Sequence, residues 1–349
     1  MRGISYTRLM DKKNILLLFG GESSEHDVSI IGARNVFAAL DANKYEVTLC
    51  YISKVGQWFL LDSIDQPYED KPQLQPVMGA GMLSVIGEDK LIKPDVVFPL
   101  LHGKNGEDGT MQGLLDLLHL PYVGPSALGA AVTMNKDMTK RLARDAGVPV
   151  VPWHVWRTGD QVPAYEQMKS ELGDVMFVKP SRAGSSMGVS RVESVNQWQQ
   201  AVELAAQHDT EVIIEKAVVG NEFQIAVLGT DKPRATDICE IVIGATFHDF
   251  EDKYNENSTA QFYIPARLGQ GKTDQLREWA LLSYDVTGCR GMARVDFLAD
   301  SDGAIYLNEI NGIPGFTNVS VYPKLWSAAG VEYSQLIEEL ISIALNKAV

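Results

Sequence analysis

NILLLFGGESSEHDVSIIGARNVFAAL, residues 14–40, decides the architecture of the N-terminal region. An apolar run from Ile15 to Phe19 stops at Gly20-Gly21. Ser23, Ser24 and Asp27 then offer helix caps, and an amphipathic stretch continues to Leu40. The unit reads strand, loop, helix. A second strand is predicted at Glu46–Ile52 and a third at Asp95–Leu101, each bounded by Pro, Gly or Asn, with a helix over Gly109–Leu118. Such alternation predicts an α/β class with a parallel, Rossmann-like sheet and helical crossovers.

PYVGPS at 121–126 concentrates Pro and Gly and marks a domain boundary near residue 124. Beyond it come a helix around Lys136–Ala146, a strand at Val175–Lys179, the turn SRAGSSMG at 181–188 and a strand at Glu211–Glu215. From Gly220 onward, strands at Glu222–Leu228, Ile238–Ile243, Met292–Ala299 and Ala304–Ile310 outnumber helices, and a helix follows Ser334. The expected division is a disordered or added lead-in at 1–13, an N-terminal domain at 14–124, a central subdomain at 125–218 and an α+β C-terminal subdomain at 219–349. No internal repeat or low-complexity tract interrupts it.

Composition narrows the function. The chain has 349 residues, 45% hydrophobic and 22% charged, enough for two or three domains. A net charge of -14 excludes a broad nucleic-acid or acidic-membrane binder, so any anionic ligand must be held by a few local lysines and arginines. Cys50, Cys239 and Cys289 are scattered and lack metal or disulfide spacing, which fits a reducing cytoplasm. The run Ile15–Phe19 is too short for a signal-peptide core or a membrane span.

Four constellations carry chemistry. The strands flanking DSDG at 300–303 form a hairpin in which a short loop would set Arg294 opposite Glu309 and Asp296 opposite Leu307. Arg294, Asp296, Glu309 and Asn311 then share one face. Two carboxylates and a carboxamide in that position suit magnesium, although a solvated hairpin face would read the same way. Lys179 precedes Gly184-Ser185-Ser186-Met187-Gly188, a turn able to cradle phosphate oxygens or simply to flex; the Walker pattern is absent.

GGESSEHDVS at 20–29 opens like a dinucleotide loop, but GxGxxG is missing and Glu22 and Glu25 would repel a pyrophosphate. Glu25 fits an ammonium group, or else the loop merely caps its helix. LHGKNGEDG at 101–109 follows a buried-looking strand, where ligands of open α/β sheets gather; His102 is read as structural or catalytic. On composition Lys136 is a surface lysine.

Together GGESSEHDVS, LHGKNGEDG, KPSRAGSSMGVSRV, ARVDF and NEINGIPGFTNVSVYP, in this order, resemble the D-alanine:D-alanine ligases of the ATP-grasp superfamily, from about residue 14 to the C-terminus. The resemblance implies a three-domain ATP-grasp fold gripping ATP between the central and C-terminal parts. It implies Asp296, Glu309 and Asn311 as ligands of two magnesium or manganese ions. Lys136, Lys179 and Lys253 would hold phosphates under Gly184, Ser185, Ser186 and Met187. The strand end Glu215, Lys216, Val218 would meet adenine, and Glu222 the ribose.

By the same resemblance Glu25 would bind the ammonium of the first D-alanine, His102 would sit near its carboxylate, and Ser320 would receive the second carboxylate. Arg294 and the Gly315 N–H would face the oxyanion, and Tyr254 would pair with Ser185 and Glu25. The polar stretch at 247–266 would be a lid. A cytoplasmic homodimer is implied. D-alanyl-D-lactate ligases, which depart in the lid, are the nearest alternative, and a nucleotide-binding oxidoreductase would explain only the opening loop. The loop HGKNGEDG has one glycine fewer than the usual pattern, and residues 1–13 exceed the usual start.

Overall fold

The strand β1 (Lys13–Gly20) is apolar without alternation because both its faces are covered. Ile15, Leu17 and Phe19 pack with Ala33 and Val36 of the helix His26–Ala39, and with Leu336, Ile337 and Leu340 of the last helix, Tyr333–Asn346. Leu16 and Leu18 point the other way, toward Met111 and Leu115 of the helix Thr110–Leu117. The coordinates are a computed structural model that describes residues 12–242 and 261–346.

Strand β1 pairs in parallel with β2 (Tyr45–Ile52). Between β2 and the third parallel strand lie β3 (Trp58–Leu61), antiparallel to β2, and a small separate sheet of β4 (Leu74–Val77), β5 (Met82–Val85) and β6 (Leu91–Ile92). Then β7 (Val96–Leu100) pairs in parallel with β1, giving the order β3-β2-β1-β7. The predicted parallel sheet is present; the hairpins over residues 58–92 are additions that the sequence reading did not contain. Pro121–Val123 still belongs to this layer, since the Val97 N–H donates to Pro121 O and the Val123 N–H to Val97 O. Ser126, just beyond, caps a helix at Ala127–Met134 by accepting from the Gly129 N–H.

The central sheet is antiparallel, in the order β10-β9-β11-β8, from β8 (Trp153–Arg157), β9 (Met176–Pro180), β10 (Ser190–Val192) and β11 (Glu211–Lys216). Its Met176, Val178, Val212 and Ile214 bury against Met168 and Leu172 of the helix Tyr165–Leu172, and against Trp198 and Val202 of the helix Val195–Ala206. Alternation along the strands sends Lys179, Ile213 and Glu215 to the opposite face.

The third sheet runs β14-β13-β12-β15-β16, from β12 (Glu222–Gly229), β13 (Arg234–Val242), β14 (Gln261–Tyr263), β15 (Gly291–Ala299) and β16 (Ile305–Asn311). Phe223, Ile225, Val295 and Phe297 pack on Leu276, Ala280 and Tyr284 of the helix Gln270–Val286. The other face carries Glu222, Gln224, Arg294 and Asp296. All three cysteines are buried, and among the described residues none forms a disulfide and no helix is long and apolar enough to cross a membrane.

Candidate active site

The hairpin β15–β16 departs from the expected register. Asp296 lies opposite Glu309 and Arg294 opposite Asn311, whereas Phe297 pairs with Leu307. Asn308 is therefore the extra residue of a β-bulge. Without the bulge Asp296 would face Asn308, and Glu309 would turn to the helix side; with it the four predicted residues share one face. Arg294 grips Asp296 with two bonds, Nε to Oδ1 at 2.8 Å and a terminal nitrogen to Oδ2 at 2.7 Å, and Asn311 Nδ2 adds a third at 3.0 Å.

Burial drives the Asp296 carboxyl up to about 6 even against the Arg294 guanidinium, with Glu222 and Glu309 adding to the rise. A carboxyl this dry among other carboxylates calls for cations. The donors are all oxygens once the amide of Asn311 presents its carbonyl, and they fit a hard divalent ion. Among the described residues no group of three or more His, Cys, Asp and Glu is placed to hold a metal.

Lys136, read from composition as a surface lysine, is buried. Asn135 caps its helix by accepting from the Met138 N–H, and the Lys136 N–H donates to the Ser181 carbonyl. Its ammonium lies between the Ala183 carbonyl, at 2.8 Å, and Glu309 Oε2, at 3.4 Å. One side chain thus ties the Gly/Ser loop to the hairpin.

The loop itself is tightly turned: Ser185 and Ser186 hold φ of 51° and 58°, and the Met187 N–H donates to the Gly184 carbonyl. Ser185 Oγ donates to Glu25 Oε1 from 160 residues away. Glu25 occupies the N-cap position of the helix His26–Ala39 without a side-chain cap bond, and neither Ser23, Ser24 nor Asp27 fills that position. Glu25 Oε2 lies 3.2 Å from where a Cβ on Gly103 or Gly184 would sit, so a side chain at either position would make the carboxylate give by a few tenths of an ångström.

His102 is buried, and its Nε2 has no hydrogen-bond partner among the described residues. Burial holds its imidazole below the ordinary value, although Glu25 and the Ile313 backbone pull the other way. Glu107, given no role from the sequence, accepts the Gly103 N–H at 2.6 Å. Burial and then Glu25 push its carboxyl up to about 8, with Arg294 opposing and Glu309 adding. The histidine loop, Glu25 and the hairpin therefore share one electrostatic space.

Lys179 meets Glu215 Oε2 at 2.6 Å, and a second lysine, Lys140, meets Glu215 Oε1 at 3.0 Å. Sequence reasoning missed Lys140, although its spacing of four from Lys136 is the signal for a shared helix face. The Glu215 side chain is thus engaged by two ammoniums rather than open to a base. At the strand end beyond it the Lys216 N–H donates to Pro152 O, and the Lys216 side chain is exposed. Glu222 accepts from Gln224 Nε2 at 2.6 Å.

Gly315 lies against Ser320, whose Oγ accepts from the Thr317 N–H at 3.0 Å instead of capping the helix Val321–Ala328. Lys253, Tyr254 and residues 247–260 of the expected lid lie outside the described residues.

Residues 14–125 match the family described as D-ala D-ala ligase N-terminus and residues 142–342 the family described as D-ala D-ala ligase C-terminus. The D-alanine–D-alanine ligase A of Salmonella typhimurium is 40% identical over 353 residues, covering 97% of either chain. Among solved structures, the D-alanine–D-alanine ligase from Coxiella burnetii superposes with a TM-score of 0.86 at 33% identity, covering 97% of this chain and 95% of that one. The VanG D-Ala:D-Ser ligase from Enterococcus faecalis gives a TM-score of 0.86 at 34% identity, with 95% and 99% covered. The fold is ATP-grasp, with mixed α/β layers.

Proposed function

The chain belongs to the D-alanine–D-alanine ligase family, and from that premise we propose how its own side chains divide the work of the reaction. The enzyme is an ATP-dependent ligase that joins two D-alanines for peptidoglycan precursor synthesis. The observation that carries the residue assignment is Lys136, whose ammonium spans the Gly/Ser loop and the carboxylate-bearing hairpin.

Lys136 and Lys179 take the phosphates of ATP, with Gly184 to Met187 folded over them; adenine lies along Glu215 to Val218 and the ribose meets Glu222. Asp296, Glu309 and Asn311 hold two magnesium or manganese ions, which when bound neutralise charge on the triphosphate. Glu25 receives the ammonium of the first D-alanine and His102 lies by its carboxylate. A carboxylate oxygen attacks the γ-phosphorus, ADP departs, and the acid becomes an acyl phosphate with a good leaving group.

The amine of the second D-alanine, uncharged on arrival and held by its carboxylate at Ser320, then attacks the carbonyl carbon. Arg294 and the Gly315 N–H stabilise the oxyanion until phosphate leaves. No covalent enzyme nucleophile takes part, so the protein's contribution is placement and charge neutralisation. The resemblance adds Lys253 at a phosphate and Tyr254 beside Ser185.

We propose domain limits at 14–124, 125–218 and 219–349 after a lead-in at 1–13, a division supported by the grouping of the strands into three main sheets, with β1 already beginning at Lys13. Buried cysteines with no disulfide among the described residues support a cytoplasmic site of action. The family resemblance supports a homodimer, which sedimentation would check.

Phosphate release with D-alanine alone, against D-alanine plus D-lactate or D-serine, tests the substrate assignment. Turnover with D-alanine alone is expected, and none with D-alanine alone rejects it.

A further inference from the structure

Lys140 has no part in the roles above, yet its side chain is wholly enclosed, at 0% exposure. It stands one helical turn beyond Lys136 on the helix Lys136–Asp145, so both ammoniums leave the same face. Its Nζ lies 3.0 Å from Glu215 Oε1 and 3.4 Å from the Val151 carbonyl, and the Trp153 ring centroid is 5.8 Å away. The other oxygen of Glu215 meets Lys179 at 2.6 Å.

A buried ion demands a partner, and one lysine would neutralise Glu215. Two lysines leave one positive charge in excess. Burial disfavours that excess and holds the Lys140 ammonium below its ordinary value, with Glu215 opposing. Glu215, disfavoured by burial too, is nevertheless held below the ordinary carboxylate range by Lys140 and Lys179. An arrangement this expensive in desolvation is understandable where a polyanion binds next to it.

We propose that Lys140 is a positioning residue of the nucleotide site: by occupying one oxygen of Glu215 it leaves Lys179 with uncompensated positive charge for the triphosphate. This rests on the reading of Lys179 as a phosphate-binding residue. Without the charge of Lys140, Glu215 cancels Lys179 and the pocket floor becomes neutral. Removing the charge of Glu215 as well restores the excess.

The test measures, by calorimetry with magnesium present, the affinity of the β,γ-imido analogue of ATP and of adenosine for the full-length wild type, Lys140→Met, and Lys140→Met with Glu215→Gln. Lys140→Met is expected to weaken the analogue by about tenfold, as a full charge a few ångströms away should, while adenosine affinity stays within about twofold. In steady state the KM for ATP should rise and kcat at saturating ATP stay within about threefold. The double variant should return the ratio of analogue to adenosine affinity to within about threefold of wild type.

A folded Lys140→Met with unchanged analogue affinity overturns the inference, as does a double variant weaker than the single one, the pattern of a purely structural residue. Should the single variant not fold, the double variant decides alone, and a tenfold loss in its ratio overturns the inference. A wild type that does not bind the analogue sinks the nucleotide reading itself, an outcome distinct from any of these.

Discussion

Glu107→Gln removes one titration from the site while keeping its shape. Glu107 Oε2 accepts the Gly103 N–H at 2.6 Å, and a glutamine carbonyl accepts the same bond. Burial, then the nearby Glu25, raise the Glu107 carboxyl from an ordinary 4.5 to about 8. A carboxyl raised on folding favours the protonated native state. Native stability therefore falls as pH climbs from the unfolded value near 4.5 toward 8, and falls no further above it.

A fully enclosed carboxyl displaced this far would represent about 5 kcal/mol. Glu107 keeps some solvent contact, so the expected effect is about 2 kcal/mol after screening. Urea unfolding followed by tryptophan fluorescence should find Glu107→Gln within about 0.5 kcal/mol of wild type at pH 5 and about 2 kcal/mol more stable at pH 9, at an unchanged denaturant slope. A difference that stays flat between those pH values refutes the account, because it would mean that Glu107 ionises alike in both states.

Asp296→Ala and Glu309→Ala should each lower ATP-dependent phosphate release by about a thousandfold or more, with far-UV circular dichroism unchanged; activity retained in both would remove the metal assignment. Ser185→Ala deletes the hydroxyl that donates to Glu25, a bond to a charged group worth about 2 kcal/mol, so kcat/KM should drop about thirtyfold, and a drop smaller than threefold would count against loop closure through this bond. Lys136→Met should raise the KM for ATP by about tenfold and leave that for D-alanine within about twofold. Equal rises in both KM values would show that the lysine orders the whole site instead of holding phosphate.

Much of this protein was written locally. The unbroken apolar run of β1 announced a strand buried on both faces, because covering two faces of a parallel strand requires apolar residues at every position. The glycine-bearing loops after β1 and β7 and the Lys179 loop were legible because tight turns need those residues. Two-residue alternation made legible the shared face of Arg294 with Asp296 and that of Glu309 with Asn311, but not that both pairs lie on the same side of the hairpin. The short strands between residues 58 and 92 were not, since strands of two to four residues with partly exposed positions carry no distinguishing run.

Only the tertiary structure decided the rest. The bulge at Asn308 fixed which carboxylate faces Asp296, and one inserted residue changes facing without leaving a compositional mark. Ser185 reached Glu25 across 160 residues, and Glu215 gathered lysines from a helix and a neighbouring strand. Local periodicity records which way a side chain points from its own element. Which groups meet there is set by how separate elements close on one another, and for buried charges such as Lys140 and Glu215 that meeting determines whether they can remain ionised at all.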